Sequence, residues 1–159
     1  MERLAEQPQS RYEKFSEESR QVLIVAQGEA ERLGHNYIGT QHILLGLLKN
    51  EKVLKLLQAL DVSPEKIKEE TEFAIEHGQG EVGDGLGLNR RAKKVVELAV
   101  DEARLLPQGS GETTPIHLLI GILRQGQGLA ESVLISQTQE DYDALISKIR
   151  KFNPSGPPA

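Results

Sequence analysis

His42-Ile-Leu-Leu-Gly-Leu-Leu-Lys49 is the most informative stretch of this sequence, because it returns 75 residues later as His117-Leu-Leu-Ile-Gly-Ile-Leu-Arg124. An earlier stretch, Phe15-Ser-Glu-Glu-Ser-Arg-Gln-Val22, returns 73 residues later as Leu88-Asn-Arg-Arg-Ala-Lys-Lys-Val95. The two extra residues fall between the paired stretches, where the second copy has the polar segment 107–114. An insertion confined to one loop, with the register kept on both sides, indicates a duplicated structural unit.

Each copy of the repeat carries the signals of helices. Apolar residues recur at helical spacing, and no stretch shows the sustained apolar–polar alternation of a half-buried strand. Aromatic residues make up 4% of the chain, so the core must be built largely from Leu, Ile, Val and Ala, which suits helix packing. We therefore predict an all-α fold of eight helices, arranged as two four-helix repeats that are related by a pseudo-twofold axis.

Residues that favour helix starts mark several boundaries. Ser16 and Asn89 are predicted to cap the first helix of each repeat, and Ser63 the fourth helix. Thr138, with Asp141 three residues later, is predicted to form a capping box that begins the last helix. The predicted segments are a flexible lead-in (1–11), repeat 1 (12–78), a glycine-rich linker (79–87), repeat 2 (88–152) and a disordered tail (153–159).

The composition excludes several classes of function. The chain has no cysteine, which removes disulfides, thiolate metal sites and cysteine nucleophiles. A formal net charge of −5 argues against a protein whose main partner is a nucleic acid. No apolar run approaches the length of a membrane span, and the polar start is unlike a signal peptide. We therefore expect a cytoplasmic protein with neither a membrane nor a nucleic acid as its partner.

One glycine-rich stretch leaves a nucleotide-binding protein or enzyme open as an alternative. Gly78-Gln-Gly-Glu-Val-Gly83 matches the dinucleotide-binding pattern, which requires a strand before the glycines and a helix directly after them. Residues 69–77 have a helical composition instead, so we interpret the stretch as a linker. The sequence also contains no Walker A phosphate loop. We therefore predict that the chain is not an enzyme and uses no cofactor.

Paired histidines and charged residues have structural interpretations. His42 and His117 are repeat mates at predicted helix starts, where a ring nitrogen bonds to local backbone; a metal or catalytic role is the alternative. Glu29 and Glu102 are also repeat mates, and a salt bridge or a solvated face explains them. The basic cluster at 90–94 is predicted to be a solvated helix face, with contact to an acidic partner as the alternative.

Three stretches together resemble a known family: Phe15-Ser16, Gly34-His-Asn-Tyr-Ile-Gly-Thr-Gln-His-Ile-Leu-Leu-Gly-Leu-Leu48 and Arg91-Ala-Lys-Lys-Val-Val-Glu-Leu98. They are similar to the double Clp amino-terminal domain of ClpC- and ClpA-type AAA+ unfoldases, over about residues 12–152. The resemblance implies a non-catalytic domain that recruits substrates or adaptors to an ATPase ring, which feeds a ClpP-type peptidase. In ClpC-like members, the domain also reads phosphorylated arginine.

The resemblance implies one phosphoarginine pocket in each repeat, made by a hydroxyl residue at the start of the first helix and a Gly-Thr-Glu-His start of the second. Repeat 1 would supply Ser16, Thr40 and Gln41, and repeat 2 would supply Asn89, Pro115 and Ile116. The family's carboxylate is therefore replaced by an amide at Gln41 and by an aliphatic group at Ile116, and neither pairs with a guanidinium as a carboxylate does. The predicted partner-binding residues are Phe15, Ser16, Thr40, Gln41, Leu88, Asn89 and Ile116.

Two biological settings are consistent with this resemblance. The chain is either the front domain of a longer unfoldase, with the tail 153–159 beginning the linker to the ring, or a free-standing accessory subunit. The second setting is that of stand-alone plastid proteins of this resemblance, which attach to the Clp protease core. In both settings the expected partners are proteins: substrates or adaptors, a Clp AAA+ ATPase and a ClpP-type peptidase.

Overall fold

The computed structural model describes residues 14–78, 82–83, 87–105 and 111–152. The predicted lead-in (1–11), the tail (153–159) and most of the glycine-rich linker lie outside these residues. The described residues contain two isolated β-bridges and no strand, so the all-α prediction is confirmed. The eight helices are α1 (Glu17–Arg32), α2 (Thr40–Leu47), α3 (Glu51–Ala59), α4 (Pro64–Glu76), α5 (Arg90–Leu105), α6 (Pro115–Gln125), α7 (Leu129–Thr138) and α8 (Tyr142–Lys151).

Side-chain caps begin α1 and α5 at the two residues that the sequence predicted. The Ser16 hydroxyl oxygen accepts a hydrogen bond from the Ser19 N–H at 3.1 Å, and Glu17 begins α1. At the start of α5, its repeat mate Asn89 accepts from the Ala92 N–H at 2.9 Å. Each cap satisfies one of the backbone donors that the first turn of a helix leaves unpaired.

The predicted capping box at Thr138 is wrong. Thr138 is the last residue of α7, and its hydroxyl donates to the Leu134 carbonyl at 2.8 Å. Gln139 takes the left-handed conformation (φ 56°) that ends α7, so the next helix starts later than expected. Asp141 is the true cap of α8, and its carboxylate accepts from the Ala144 N–H at 2.8 Å.

Helices α2 and α6 form the centre of the fold. Every residue of α2 is buried, including Leu45. Helix α6 is nearly as apolar and carries buried residues on all its sides. A helix that is hydrophobic all round belongs inside a protein, and the more polar helices pack around this central pair.

The first helix of each repeat crosses the second at a glycine. A Cβ built at Gly46 would lie 2.6 Å from the Val22 carbonyl oxygen in α1. In repeat 2, a Cβ at Gly121 would lie 2.5 Å from the Val95 carbonyl oxygen in α5. The same two backbones therefore approach each other closely in both repeats, at positions where only glycine fits without a shift.

We expect Gly46→Ala and Gly121→Ala to destabilise the fold by about 1–3 kcal/mol, the usual cost of overpacking a core. The control is Gly28→Ala, because a Cβ at Gly28 in α1 meets nothing within 4 Å. That substitution should stabilise the protein by about 0.5–1 kcal/mol through helix propensity alone. Urea unfolding measures all three variants. A stabilised Gly46→Ala protein would contradict the close crossing.

Candidate partner-binding site at the helix starts

The start of α1 is held against the residues that precede α6. The Ser16 N–H donates to the Thr113 carbonyl at 2.9 Å, and the Thr113 N–H donates to the Lys14 carbonyl at 2.8 Å. The Ser19 hydroxyl donates to the same Thr113 carbonyl at 2.8 Å. These bonds join repeat 1 to repeat 2 and form a parallel bridge between Phe15 and Thr113.

The start of α5 makes the reciprocal contact with the residues that precede α2. The Ile38 N–H donates to the Gly87 carbonyl at 2.8 Å, and the Asn89 N–H donates to the Ile38 carbonyl at 2.9 Å. The resulting bridge pairs Ile38 with Leu88, and these two residues are the repeat mates of Thr113 and Phe15. We call this contact between the two repeats the seam; it consists of residues 14–16 with 113 and residues 87–89 with 38. Equivalent residues thus make equivalent contacts across it, as a pseudo-twofold arrangement requires.

The starts of α1 and α5 therefore contact the opposite repeat. Ser16 bonds to the residues leading into α6, where Ile116 lies, and Asn89 bonds to the residues leading into α2, where Gln41 lies. The grouping of Ser16 with Thr40 and Gln41, and of Asn89 with Pro115 and Ile116, stays a prediction. Sequence reasoning missed the contacts across the repeats, although Ile38 and Thr113 stand at the same repeat spacing of 75 as the second helices.

The apolar and hydroxyl members of the predicted site have structural partners. Phe15 and Leu88 are 3% and 8% exposed and belong to the core. The Ser16 oxygen caps α1, and the buried Thr40 hydroxyl oxygen accepts from the Ala130 N–H of repeat 2 at 3.4 Å. Ile116 is partly buried and packs against the core. These side chains hold the seam together.

Gln41 is different, because part of its side chain has no partner. The residue is fully buried, and its amide nitrogen donates weakly to the Tyr37 hydroxyl at 3.4 Å. Its amide oxygen is buried and accepts no hydrogen bond among the described residues. An unsatisfied buried acceptor costs about 1–3 kcal/mol, which a donor group reaching this oxygen would recover.

The linker lies against the same part of the seam. A Cβ at Gly83 would come within 2.5 Å of the Tyr37 Cβ, so the backbone of the linker touches this side chain. The Asn89 amide donates to the Val82 carbonyl at 3.0 Å. The segment before Gly78 is helix α4, as predicted, and not the strand that a dinucleotide-binding motif requires.

Histidines complete the starts of both central helices. The Gly39 N–H donates to Nδ1 of His42 at 2.9 Å, and the Thr114 N–H donates to Nδ1 of His117 at 2.9 Å. Each ring acts as the third-position partner of a capping box, which confirms the prediction of bonding to local backbone. Because Nδ1 of His42 accepts, its Nε2 carries the proton and donates to Nδ1 of His35 at 2.8 Å.

Buried carboxylates at equivalent positions anchor ion pairs, as predicted. Glu102 is fully buried, and its two oxygens receive the Arg150 guanidinium at 2.6 and 2.9 Å. Glu29 receives Arg32 at 3.0 Å, and this bond holds the pKa of Glu29 below its usual range against the opposing effect of burial. Breaking the pair at the buried Glu102 would be costly, so this pair helps to hold α8 against α5.

The described residues contain no cluster of histidine and carboxylate groups that could hold a metal ion. Among the described helices, none has both the length and the apolar character that crossing a bilayer demands.

The sequence matches a known family and several known proteins. Residues 14–110 match the Clp repeat (R) N-terminal domain family. The negative regulator of genetic competence ClpC/MecB of Bacillus subtilis is 47% identical over 123 residues, which are 76% of this chain and 15% of that protein. The chloroplastic ClpA homologue CD4B of Solanum lycopersicum, an ATP-binding subunit of the Clp protease, is 40% identical over 145 residues, 90% of this chain and 15% of that protein.

A solved structure has the same fold. The N-terminal domain of the Clp-protease-associated chaperone ClpD from Arabidopsis thaliana superposes with a TM-score of 0.66 and 21% identity. The match covers 91% of this chain and 97% of that structure. The chain belongs to the Clp repeat N-terminal domain family, which forms the front domain of ClpC- and ClpA-type chaperones. It spans 15–16% of the length of the curated relatives that it matches.

The histidine cap of α6 makes stability depend on pH. Burial lowers the pKa of His117 from its ordinary value of 6.5, although Glu102 opposes the shift. The unfolded chain therefore takes up this proton before the folded chain does, so stability falls as pH drops from about 6.5 towards the lowered pKa. Protonation of Nδ1 would also place its N–H against the Thr114 N–H. Both groups are donors, so the hydrogen bond between them would be lost.

We expect His117→Gln to reduce this pH dependence, because a glutamine at the third position keeps the capping box and does not titrate. Thermal unfolding between pH 7 and pH 5 measures the effect: the wild type should lose more stability than the variant. His77→Gln, at an exposed position, is the matched control and should follow the wild type. Equal pH slopes for wild type and His117→Gln would contradict the assignment.

Proposed function

We propose that the chain is a non-catalytic protein-binding domain of a Clp unfoldase system, which recruits substrates or adaptors to a AAA+ ring. Membership of the Clp repeat family supports this role. Relatives are named as ATP-binding subunits of the Clp protease, so protein partners are the natural expectation. The helices form a duplicated frame, and no catalytic constellation appears among the described residues.

The unpaired amide oxygen of Gln41 is the observation that best supports binding at the seam. It lies at the start of a central helix, and the amide nitrogen of the same side chain bonds to Tyr37, the residue that touches the linker at Gly83. Buried polar groups in folded proteins are nearly always satisfied, so an exception at the position expected to recognise a partner favours a binding role. A donor such as the side chain of a protein client would satisfy it, after local movement of the residues that cover it.

The proposed role is tested by direct binding of the purified chain. Interferometry measures binding to three partners: a ClpC-type ATPase that lacks its own amino-terminal domain, a ClpP-type peptidase and an unfolded model substrate. The pattern of binding distinguishes the front domain of an unfoldase from a free-standing accessory subunit. Binding to the substrate supports recruitment, and binding to the peptidase or the ATPase supports an accessory subunit. Calorimetry with ATP and dinucleotides tests the nucleotide-binding alternative. Nucleotide binding with no protein partner would overturn the proposed function.

We expect weak or undetectable binding of free phosphoarginine by the wild-type chain. The start of α2 can offer backbone N–H groups to an anion, but the hydroxyls of Ser16 and Thr40 already have protein partners, and Gln41 lacks the charge that a guanidinium requires. Gln41→Glu should strengthen binding by about 1–3 kcal/mol, the value of a charged hydrogen bond.

Titration calorimetry measures this change, with Gln58→Glu as the control of equal charge at an exposed position of α3. Ile116→Glu should help less than Gln41→Glu, because the loop before α6 is also altered. Tight binding by the wild type would show that the carboxylate is dispensable at this site. A failure of Gln41→Glu to bind better would show that the site has lost more than its charge.

A further inference from the structure

A cleft of about 400 Å³ opens on repeat 1, between the end of α2, helix α3 and the start of α4. Leu45, Leu48, Leu54 and Pro64 supply its apolar lining. Its volume lies within the range of roughly 300–1,000 Å³ that is usual for ligand pockets. The cleft is separate from the helix starts at the seam, since it lies at the opposite end of α2.

Repeat 2 carries larger apolar side chains at the equivalent positions of its fourth helix. The caps and buried residues of α4 and α8 align at a spacing of 78 residues, which makes Tyr142 the counterpart of Pro64 and Ile146 the counterpart of Lys68. Ile146 is buried in the core, and Tyr142 packs against it. Two large side chains, four residues apart on one helix, therefore occupy positions that repeat 1 gives to a proline and an exposed lysine.

The fourth helices of the two repeats are also attached by different ion pairs. In repeat 2, Arg150 of α8 bonds directly to the buried Glu102. The counterpart of Arg150 in α4 is Glu72, an acid that cannot pair with the acid Glu29. Arg32 lies between these two carboxylates, 3.0 Å from Glu29 and 2.8 Å from Glu72, so α4 is joined to α1 through an intervening guanidinium.

The rim of the cleft carries both signs of charge: Lys49 and Lys68 are basic, and Glu29 and Glu65 are acidic. Lys68 is exposed and forms no ion pair within the part of the chain that the structure describes. Lys49 keeps 61% of its side chain exposed and lies 3.9 Å from Glu29, whose charge is already balanced by Arg32. The charge of Lys68 helps to lower the pKa of Glu29 from beyond ion-pair distance. A carboxylate placed beside Lys68 would therefore make a close ion pair that the described residues do not make.

We propose that this cleft receives an amphipathic helix of a protein partner, which inserts an aromatic and a branched aliphatic side chain four residues apart and sets a carboxylate near Lys68. This mode places a helix over a groove and anchors it by side chains one turn apart. The inference rests on the proposed protein-binding function and adds the chemistry of one partner surface, at a place distinct from the seam.

The probe is a helix-constrained peptide with the sequence of residues 139–152, because it carries Tyr142 and Ile146 in the required spacing, with carboxylates beside the tyrosine. Fluorescence anisotropy of the labelled peptide measures binding to the complete chain. Replacing both anchors by alanine should abolish binding. Replacing the peptide's aspartates by asparagine should weaken binding and reduce its dependence on salt.

Lys68→Ile copies repeat 2 and fills the cleft from within, so it should weaken peptide binding by about tenfold or more, on the order of 1.4 kcal/mol. Leu54→Lys places a charge in the lining and should have the same effect by a different route. Lys55→Ile removes an equal charge at an exposed position of α3 that does not line the cleft, and it should bind as the wild type does.

Methyl NMR spectra locate the bound peptide. Shifts at Leu45, Leu48 and Leu54 are expected, whereas shifts confined to Ile120 and Leu123 of repeat 2 would overturn the proposal. Absence of binding by the wild type, or equal binding by Lys68→Ile, would also overturn it. If the chain then still binds a substrate or a Clp subunit, the proposed function stands and only the cleft is wrong; loss of both would remove the proposed function as well.

Discussion

The close crossing of helices at Gly46 and Gly121 is the constraint on which the rest of the structure depends. A backbone carbonyl of α1 or α5 occupies the space that a side chain would need at these positions. This approach allows α2 and α6 to be covered on every side and to form the centre of the protein. Buried helices cannot rely on water at their ends, so their first backbone groups need internal partners. His42 and His117 supply them in the same way in both repeats.

The starts of α1 and α5 also find internal partners, and these partners join the two repeats. Backbone groups around Ile38 and Thr113 pair with the starts of α5 and α1, so each repeat completes the other. Ser16 and Asn89, which the family resemblance assigned to two pockets, thereby each contact the opposite repeat. Most of the predicted site residues are occupied in holding the seam, and the amide oxygen of Gln41 is the polar atom at these helix starts that the described residues leave without a partner.

The two repeats share a frame but differ in their outer helices. Buried Glu102 pairs with Arg150 of α8 and with Arg124 of α6, whereas Glu29 pairs with Arg32 of its own helix, which also reaches Glu72 of α4. One reversal of charge between equivalent positions therefore changes how the fourth helix is attached. In repeat 2, Ile146 and Tyr142 of the fourth helix pack in and against the core, while repeat 1 has an apolar cleft beside its fourth helix. The two repeats therefore share their core and differ in how the fourth helix is attached.

The sequence by itself determined the helices, the repeat and the family. Helical spacing of apolar residues, cap residues such as Ser16 and Asn89, and the paired spacing of His42 and His117 are local signals that act within a few residues. One local signal was misread. Thr138 was predicted to cap the last helix, but it is the last residue of α7, and Asp141 is the cap of α8. Only the tertiary structure decided which helix starts meet, because hydrogen bonds across the seam join residues far apart in the chain. The cleft also depends on tertiary structure, since it lies where α4 meets α2 and α3, and α4 is joined to α1 through Arg32 and Glu72. These residues lie 40 positions apart, so no local sequence pattern predicts the contact.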